Sequence, residues 1–309
     1  MNGRVVLVTG AGGFVCSEVA LALAAAGYEV VATDQKFDAA TAARLSGLRM
    51  IAGQLDGALS LLSDITPFGV IHGAAITASP ERLGLSNAGH VRRNMELLTE
   101  TLDWARTAGA QRFIFLSSMG VFEPGDLPKL DGQFTERTQP SGIIPYCAAK
   151  RAGEIVTAGA ADADFATLNL RLGNVFGPHE AVRPTRQMLC LVSRMKQAAR
   201  DTGVIRVDSP DTRREWAWLP DLATGIAALL GQFPDADLLH AGTPPTISDG
   251  DLATAIASRM PGVRVERSIN TETGMRPPMG SVVQSVMDDI RWTELPEALD
   301  LLLATEAAQ

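Results

Sequence analysis

The stretch Arg4-Val-Val-Leu-Val-Thr-Gly-Ala-Gly-Gly-Phe-Val-Cys16 decides how the chain is read. The apolar run Val5 to Val8 has the character of a strand buried on both faces, as in a parallel sheet. Glycines at 10, 12 and 13 follow it, and the Ala- and Leu-rich segment Glu18 to Ala26 reads as a helix that Gly27 ends. A second apolar run, Val30-Val-Ala-Thr33, leads to Asp34. Strand, glycine turn, helix and strand in this order read as a dinucleotide-binding unit, with a structural turn that holds no ligand as the bland alternative. The glycines let the backbone turn tightly and approach a pyrophosphate, whose charge sits at the helix N-terminus where free amides point outward. Asp34 is placed to accept hydrogen bonds from an adenosine ribose diol and would repel a 2′-phosphate, so NAD is favoured over NADP.

Composition narrows the setting. With 309 residues, 46% of them hydrophobic, the chain can bury a full core. It holds no apolar run of the roughly eighteen residues that a membrane helix needs, and its N-terminus leads straight into the first strand. Cys16, Cys147 and Cys190 form no spaced pair, and His72, His90, His179 and His240 lie far apart, so neither disulfides nor a metal site is expected. The net charge of −8 leaves no basic stripe for nucleic acid. The expectation is a soluble cytoplasmic protein without nucleic-acid or membrane partners.

A second signal lies in Pro145-Tyr-Cys-Ala-Ala-Lys150. Tyrosine occurs only at 28 and 146, and scatter of the four lysines would place one four residues after a tyrosine about 3% of the time. On a helix that spacing puts the ammonium and the phenol on one face. A nearby positive charge favours phenolate, moving tyrosine toward a usable general base. A solvated Tyr and Lys on an exposed helix is the bland alternative for the pair taken alone.

With these motifs in order, the chain resembles the extended short-chain dehydrogenase/reductase family, the group that includes nucleotide-sugar epimerases and dehydratases. Thr9, Gly10 and Gly13 match its T-G-x-x-G-x-x-G, with Cys16 in place of the last glycine. A side chain there is expected to tighten helix-to-strand packing, with cofactor affinity at stake. The resemblance implies a Rossmann-type doubly wound α/β parallel sheet with a smaller C-terminal substrate-binding portion. It implies NAD held by Gly10, Gly13, Phe14, Val15, Asp34, Gln54, Leu55, Ala74, Asn94, Tyr146 and Lys150. Val70-Ile-His-Gly-Ala-Ala75 looks like the family's fourth strand and its turn, with His72 read as a core histidine. Ser118, ending Arg112-Phe-Ile-Phe-Leu-Ser-Ser118, matches the catalytic Ser or Thr. In that family chemistry, Tyr146 takes the proton of a substrate hydroxyl as hydride leaves its carbon, Ser118 holds the same oxygen, and Lys150 keeps Tyr146 acidic and bonds the nicotinamide ribose.

Met119 and Gly120 stand where family dehydratases and decarboxylating members carry acids after the catalytic residue. That leaves 4-epimerisation through a transient ketone, or oxidation or reduction of one carbinol. On the substrate side, Leu170-Arg-Leu-Gly-Asn-Val-Phe-Gly-Pro178 and Thr212-Arg-Arg-Glu-Trp-Ala-Trp-Leu-Pro-Asp221 resemble family segments. They imply an anion clamp of Asn174, Arg214 and Arg276 around a sugar-nucleotide diphosphate. Trp216 and Trp218 are read as core.

Residues 1–173 are expected to form the cofactor domain and 174–309 mainly the substrate portion, with 221–231 returning to the first. Glu123 to Ser141, rich in Pro, Gly and charge, reads as a flexible lid. The leading expectation is a nucleotide-sugar 4-epimerase, with a UDP-sugar among the candidate substrates. Alternatives are a dehydrogenase or reductase of a free sugar or sugar acid, and a non-catalytic NAD(P)-sensing regulator. A homodimer is expected by resemblance.

Overall fold

A computed structural model describes residues 3–241, 246–268 and 277–307. Five strands fall in the first part of the chain: β1 (Val5–Thr9), β2 (Glu29–Asp34), β3 (Arg49–Ala52), β4 (Gly69–His72) and β5 (Arg112–Ser118). With Ala166–Leu172 and Leu238–His240 they make a seven-stranded sheet in which every pairing is parallel. From one edge the order is Leu238–His240, Ala166–Leu172, β5, β4, β1, β2, β3. The winding reverses between β1 and β4, which opens a crevice at their carboxyl ends.

Alternation explains why the strands read as unbroken apolar runs. Val6 and Val8 face a layer built from helix α1 (Phe14–Ala25) and the helix Leu219–Gly231, through Val19, Leu23, Leu222 and Ile226. Leu7 faces the other way, with Phe113, Phe115, Leu98 and Leu102 under the helix Asn87–Thr107. Each such fully buried aliphatic contributes roughly 1.5–3 kcal/mol. The first helix begins at Phe14, four residues before the sequence reading places it, because Gly13 is its N-cap. The sheet also draws its edge strand, Leu238–His240, from beyond the returning helix.

The smaller portion has its own core, in which Phe176, Val192, Met195, Leu252, Ile256 and Leu299 pack with Trp216 and Trp218. Both tryptophans are core residues, as the sequence suggests. The segment read as a lid is instead folded down. Asp126 accepts hydrogen bonds from the Glu123 and Ser141 amides and the Ser141 hydroxyl, tying its two ends together. Phe134 is fully buried against Phe122, and Glu136 accepts from the His240 and Val282 amides and the Ser281 hydroxyl. A buried aromatic and a half-buried carboxylate with three donors outweigh the loop-like composition.

Candidate active site

At the crevice a cleft of about 1270 Å³ brings together most of the residues expected from the sequence. Gly10, Gly13, Phe14, Val15, Asp34, Gln54, Leu55, Ala74, Ser118, Tyr146, Lys150, Asn174 and Arg214 all line it. Asn94 borders a small adjoining cavity with Tyr146 and Lys150, and Arg276 lies outside the described residues.

The glycine turn fits a dinucleotide. Gly10 has φ +72°, and a Cβ there would meet the Ala74 amide nitrogen at 2.7 Å, so only glycine satisfies both backbone and space. Gly13 offers no side-chain cap, which leaves the first amides of α1 free for a phosphate. Asp34 accepts from the Gly12 amide at 2.9 Å, so its carboxylate is fixed beside the turn. Gln54 and Leu55 lie at the start of a short helix on the rim of the cleft.

Beyond the turn, Ser118 ends β5 and Tyr146 and Lys150 lie on the helix Pro145–Gly159. Pro145 at the first helical turn sets where that helix begins. The Ser118 hydroxyl accepts from the Gly120 amide at 3.0 Å and is close enough to the Tyr146 phenol to pull its pKa down. Lys150 donates to the Leu116 carbonyl at 2.6 Å, with its ammonium 5.9 Å from the centre of the Tyr146 ring. Burial pushes the phenol above its ordinary range, against the downward pull of the Ser118 hydroxyl and the Arg186 charge. Lys150 is itself pushed down to about 8, by burial above all. The Arg186 charge therefore acts on the phenol, while the Lys150 ammonium is bonded to the Leu116 carbonyl.

A buried brace fixes this group. Arg171 makes a two-pronged ion pair with Glu154, at 2.8 and 2.7 Å, and Glu154 also accepts from Ser117. It ties β5, the Pro145–Gly159 helix and the strand Ala166–Leu172 beneath Ser118 and Tyr146. Asn94 acts likewise, accepting from the Ile76 amide at 2.9 Å and donating to the Ile76 and His90 carbonyls. His72, hydrogen-bonded with Thr9 and stacked on Phe113 and Phe115, is pushed down to about 3 by burial and stays neutral.

On the substrate side Asn174 approaches Met119 Sδ at 3.3 Å, and Arg214 is held by Asp249 at 2.9 Å. Of the three expected clamp residues, these two share the cleft, and Arg214 is already ion-paired. Sequence reasoning missed Arg183 and Arg186, which reach the cleft from the loop after Pro178. No local motif marks them; only the fold carries that loop back to the glycine turn. Among the described residues no group of acids, histidines and cysteines suits a metal ion, and no helix is long and apolar enough to cross a membrane.

Comparison with known proteins agrees with this geometry. A family model described as NAD dependent epimerase/dehydratase family matches residues 6–238. A dTDP-L-rhamnose 4-epimerase of Burkholderia thailandensis is 27% identical, covering 84% of this chain and 82% of its own. A UDP-glucose 4-epimerase of Streptomyces lividans is 28% identical, covering 72% of this chain and 70% of its own. The structure of a Thermus thermophilus UDP-glucose 4-epimerase in complex with NAD superposes with a TM-score of 0.77, at 20% identity over 97% of this chain and 98% of that one. The chain belongs to the NAD-dependent epimerase/dehydratase family, and it is an NAD-dependent enzyme of the short-chain dehydrogenase/reductase type.

Proposed function

We propose that this enzyme is a nucleotide-sugar 4-epimerase. When bound, NAD accepts a hydride from a carbinol carbon and can return it. Tyr146 takes the hydroxyl proton, Ser118 beside it holds the oxygen, and Lys150 places a cation behind both. The observation that carries the reading is what stands beside Ser118. Met119 is buried under Asn174, and the Gly120 amide is bonded back to Ser118, so no carboxylate follows the serine to assist elimination or decarboxylation. Reversible oxidation of one carbinol needs none.

In this reading residues 1–173, with the returning helix, hold the cofactor and 174–309 receive the sugar nucleotide, Asn174 and Arg214 facing its diphosphate. The ion pair of Arg214 with Asp249 favours a second reading, a dehydrogenase of a free sugar or sugar acid, because Asp249 competes for that guanidinium. A panel of UDP- and dTDP-sugars and free sugars separates the two. Interconversion without net NADH is the epimerase result; NADH released with a free sugar overturns it, and NAD binding without any turnover points to a sensor.

A homodimer through the Asn87–Thr107 and Pro145–Gly159 helices is part of the proposal, supported by Ile155, which is 75% exposed on the second of them. Light scattering on the purified protein tests it. Cys16, Cys147 and Cys190 are in no disulfide, which suits a reducing, cytoplasmic setting.

A further inference from the structure

The loop after Pro178 crosses the cofactor cleft and is bonded on both banks. On one bank the Thr185 carbonyl accepts from the Thr77 and Ala78 amides, each at 2.9 Å, and from the Thr77 hydroxyl at 3.0 Å. On the other, Arg183 donates to the Lys36 carbonyl and lies 3.6 Å from Asp34. A backbone pair between Arg183 and Arg186, at 2.8 and 3.0 Å, closes the loop into a tight turn. Between the banks lies the glycine turn, and the Arg183 guanidinium rests on it. A Cβ on Gly12 would fall 2.9 Å from Arg183 Nη2, and one on Gly13 3.9 Å from Nη1.

Arg183 is therefore a cation stationed over the amides that face a dinucleotide diphosphate. Asp34 alone does not explain the placement, since at 3.6 Å this pair is looser than the pairs at Arg171 and Arg214. Its side chain is only 16% exposed, so a phosphate meeting it is shielded from water and salt. Arg186 lies beside it, its guanidinium 5.6 Å from the centre of the Phe14 ring and ion-paired to the buried Glu180. Arg186 Nε is buried and has no hydrogen-bond partner, a donor left over on the same side of the cleft.

We propose that Arg183 is a cofactor-binding residue supplied by the substrate half of the chain, pairing with the NAD diphosphate opposite the N-terminus of α1, so that the loop straps the cofactor in place. The diphosphate is then held from both sides, by helix amides below and a guanidinium above. Retention of the cofactor through both hydride transfers is what the proposed epimerisation requires, and to that extent the strap deepens that reading.

The test uses ADP and adenosine as calorimetric probes on the full chain, with NAD release followed after dilution of the loaded enzyme. Arg183→Ala is expected to weaken ADP on the order of tenfold and leave adenosine within about twofold, since only ADP carries the diphosphate. NAD release should quicken by a similar factor, and Arg183→Lys, which keeps the charge, should recover part of the loss. Arg213→Ala, an exposed arginine bonded to Thr246, should change none of these. Equal weakening of ADP and adenosine, or no change in either, overturns the proposal. Neither probe turns over, so the result stands apart from which sugar reaction the enzyme catalyses.

Discussion

Cys16 and Gly73 are fitted to each other: a Cβ on Gly73 would lie 2.1 Å from the Cys16 sulfur. The thiol that replaces the last glycine of the turn is received by a residue with no side chain, on the segment after β4. Cys16 is 4% exposed and burial pushes its thiol up to about 12, so it acts as a small apolar packing group. The tightening expected at this helix is thus absorbed across the sheet.

Gly73→Ala should therefore cost about 1–3 kcal/mol by overpacking, read from urea unfolding. The double variant Cys16→Gly with Gly73→Ala should recover most of that loss. Additive losses in the two single variants would show that the pair is not coupled.

Glu154 is the hub of the buried brace, and removing its charge leaves the Arg171 guanidinium buried without its partner. Glu154→Gln should lose about 3–5 kcal/mol of unfolding free energy, far more than loss of an exposed pair such as Arg206 with Glu266. Near-equal losses at the two sites would remove the brace from the account.

The same chain shows how far sequence carries. The glycine turn, Asp34 and the Tyr146–Lys150 spacing were legible because each is a short-range pattern, while Ser118 followed from the family resemblance. The apolar run of β1 marked a strand of a parallel sheet, and the rest of the sheet followed from the family resemblance. The fold of Glu123–Ser141 was not, since its order comes from distant partners: Glu136 reaches Ser281, and Phe134 stacks on Phe122. Nor was the placement of Arg183, which depends on a loop returning from residue 178 onward to a turn near residue 12. Composition records neither long-range contact.

Lys150 gives a pH signature of the cofactor-free protein. Its folded pKa of about 8 lies below the ordinary 10.5, so between these values the unfolded chain binds more protons than the native one. Stability from this group therefore rises with pH across that window, and the burial penalty is fully present below it. The stability of the natural chain minus that of Lys150→Met, followed by chemical denaturation, should increase from about 8 toward 10.5. A flat difference would mean that the ammonium is not desolvated.

Tyr146→Phe keeps the ring and its packing and removes the proton acceptor. NAD affinity should be nearly unchanged, while turnover falls by about 10²–10⁴. Full activity in that variant would refute the assignment of the base.

The central claim is that one carbinol is oxidised and reduced again without release of the cofactor. UDP-glucose carrying deuterium at carbon 4, incubated with the NAD-loaded enzyme and followed by NMR, tests it most directly, with dTDP- and other UDP-sugars run in parallel. The account predicts inversion at carbon 4 of one such sugar, with the deuterium retained there and no NADH absorbance accumulating. Deuterium lost to solvent, or NADH rising in step with product, would contradict it.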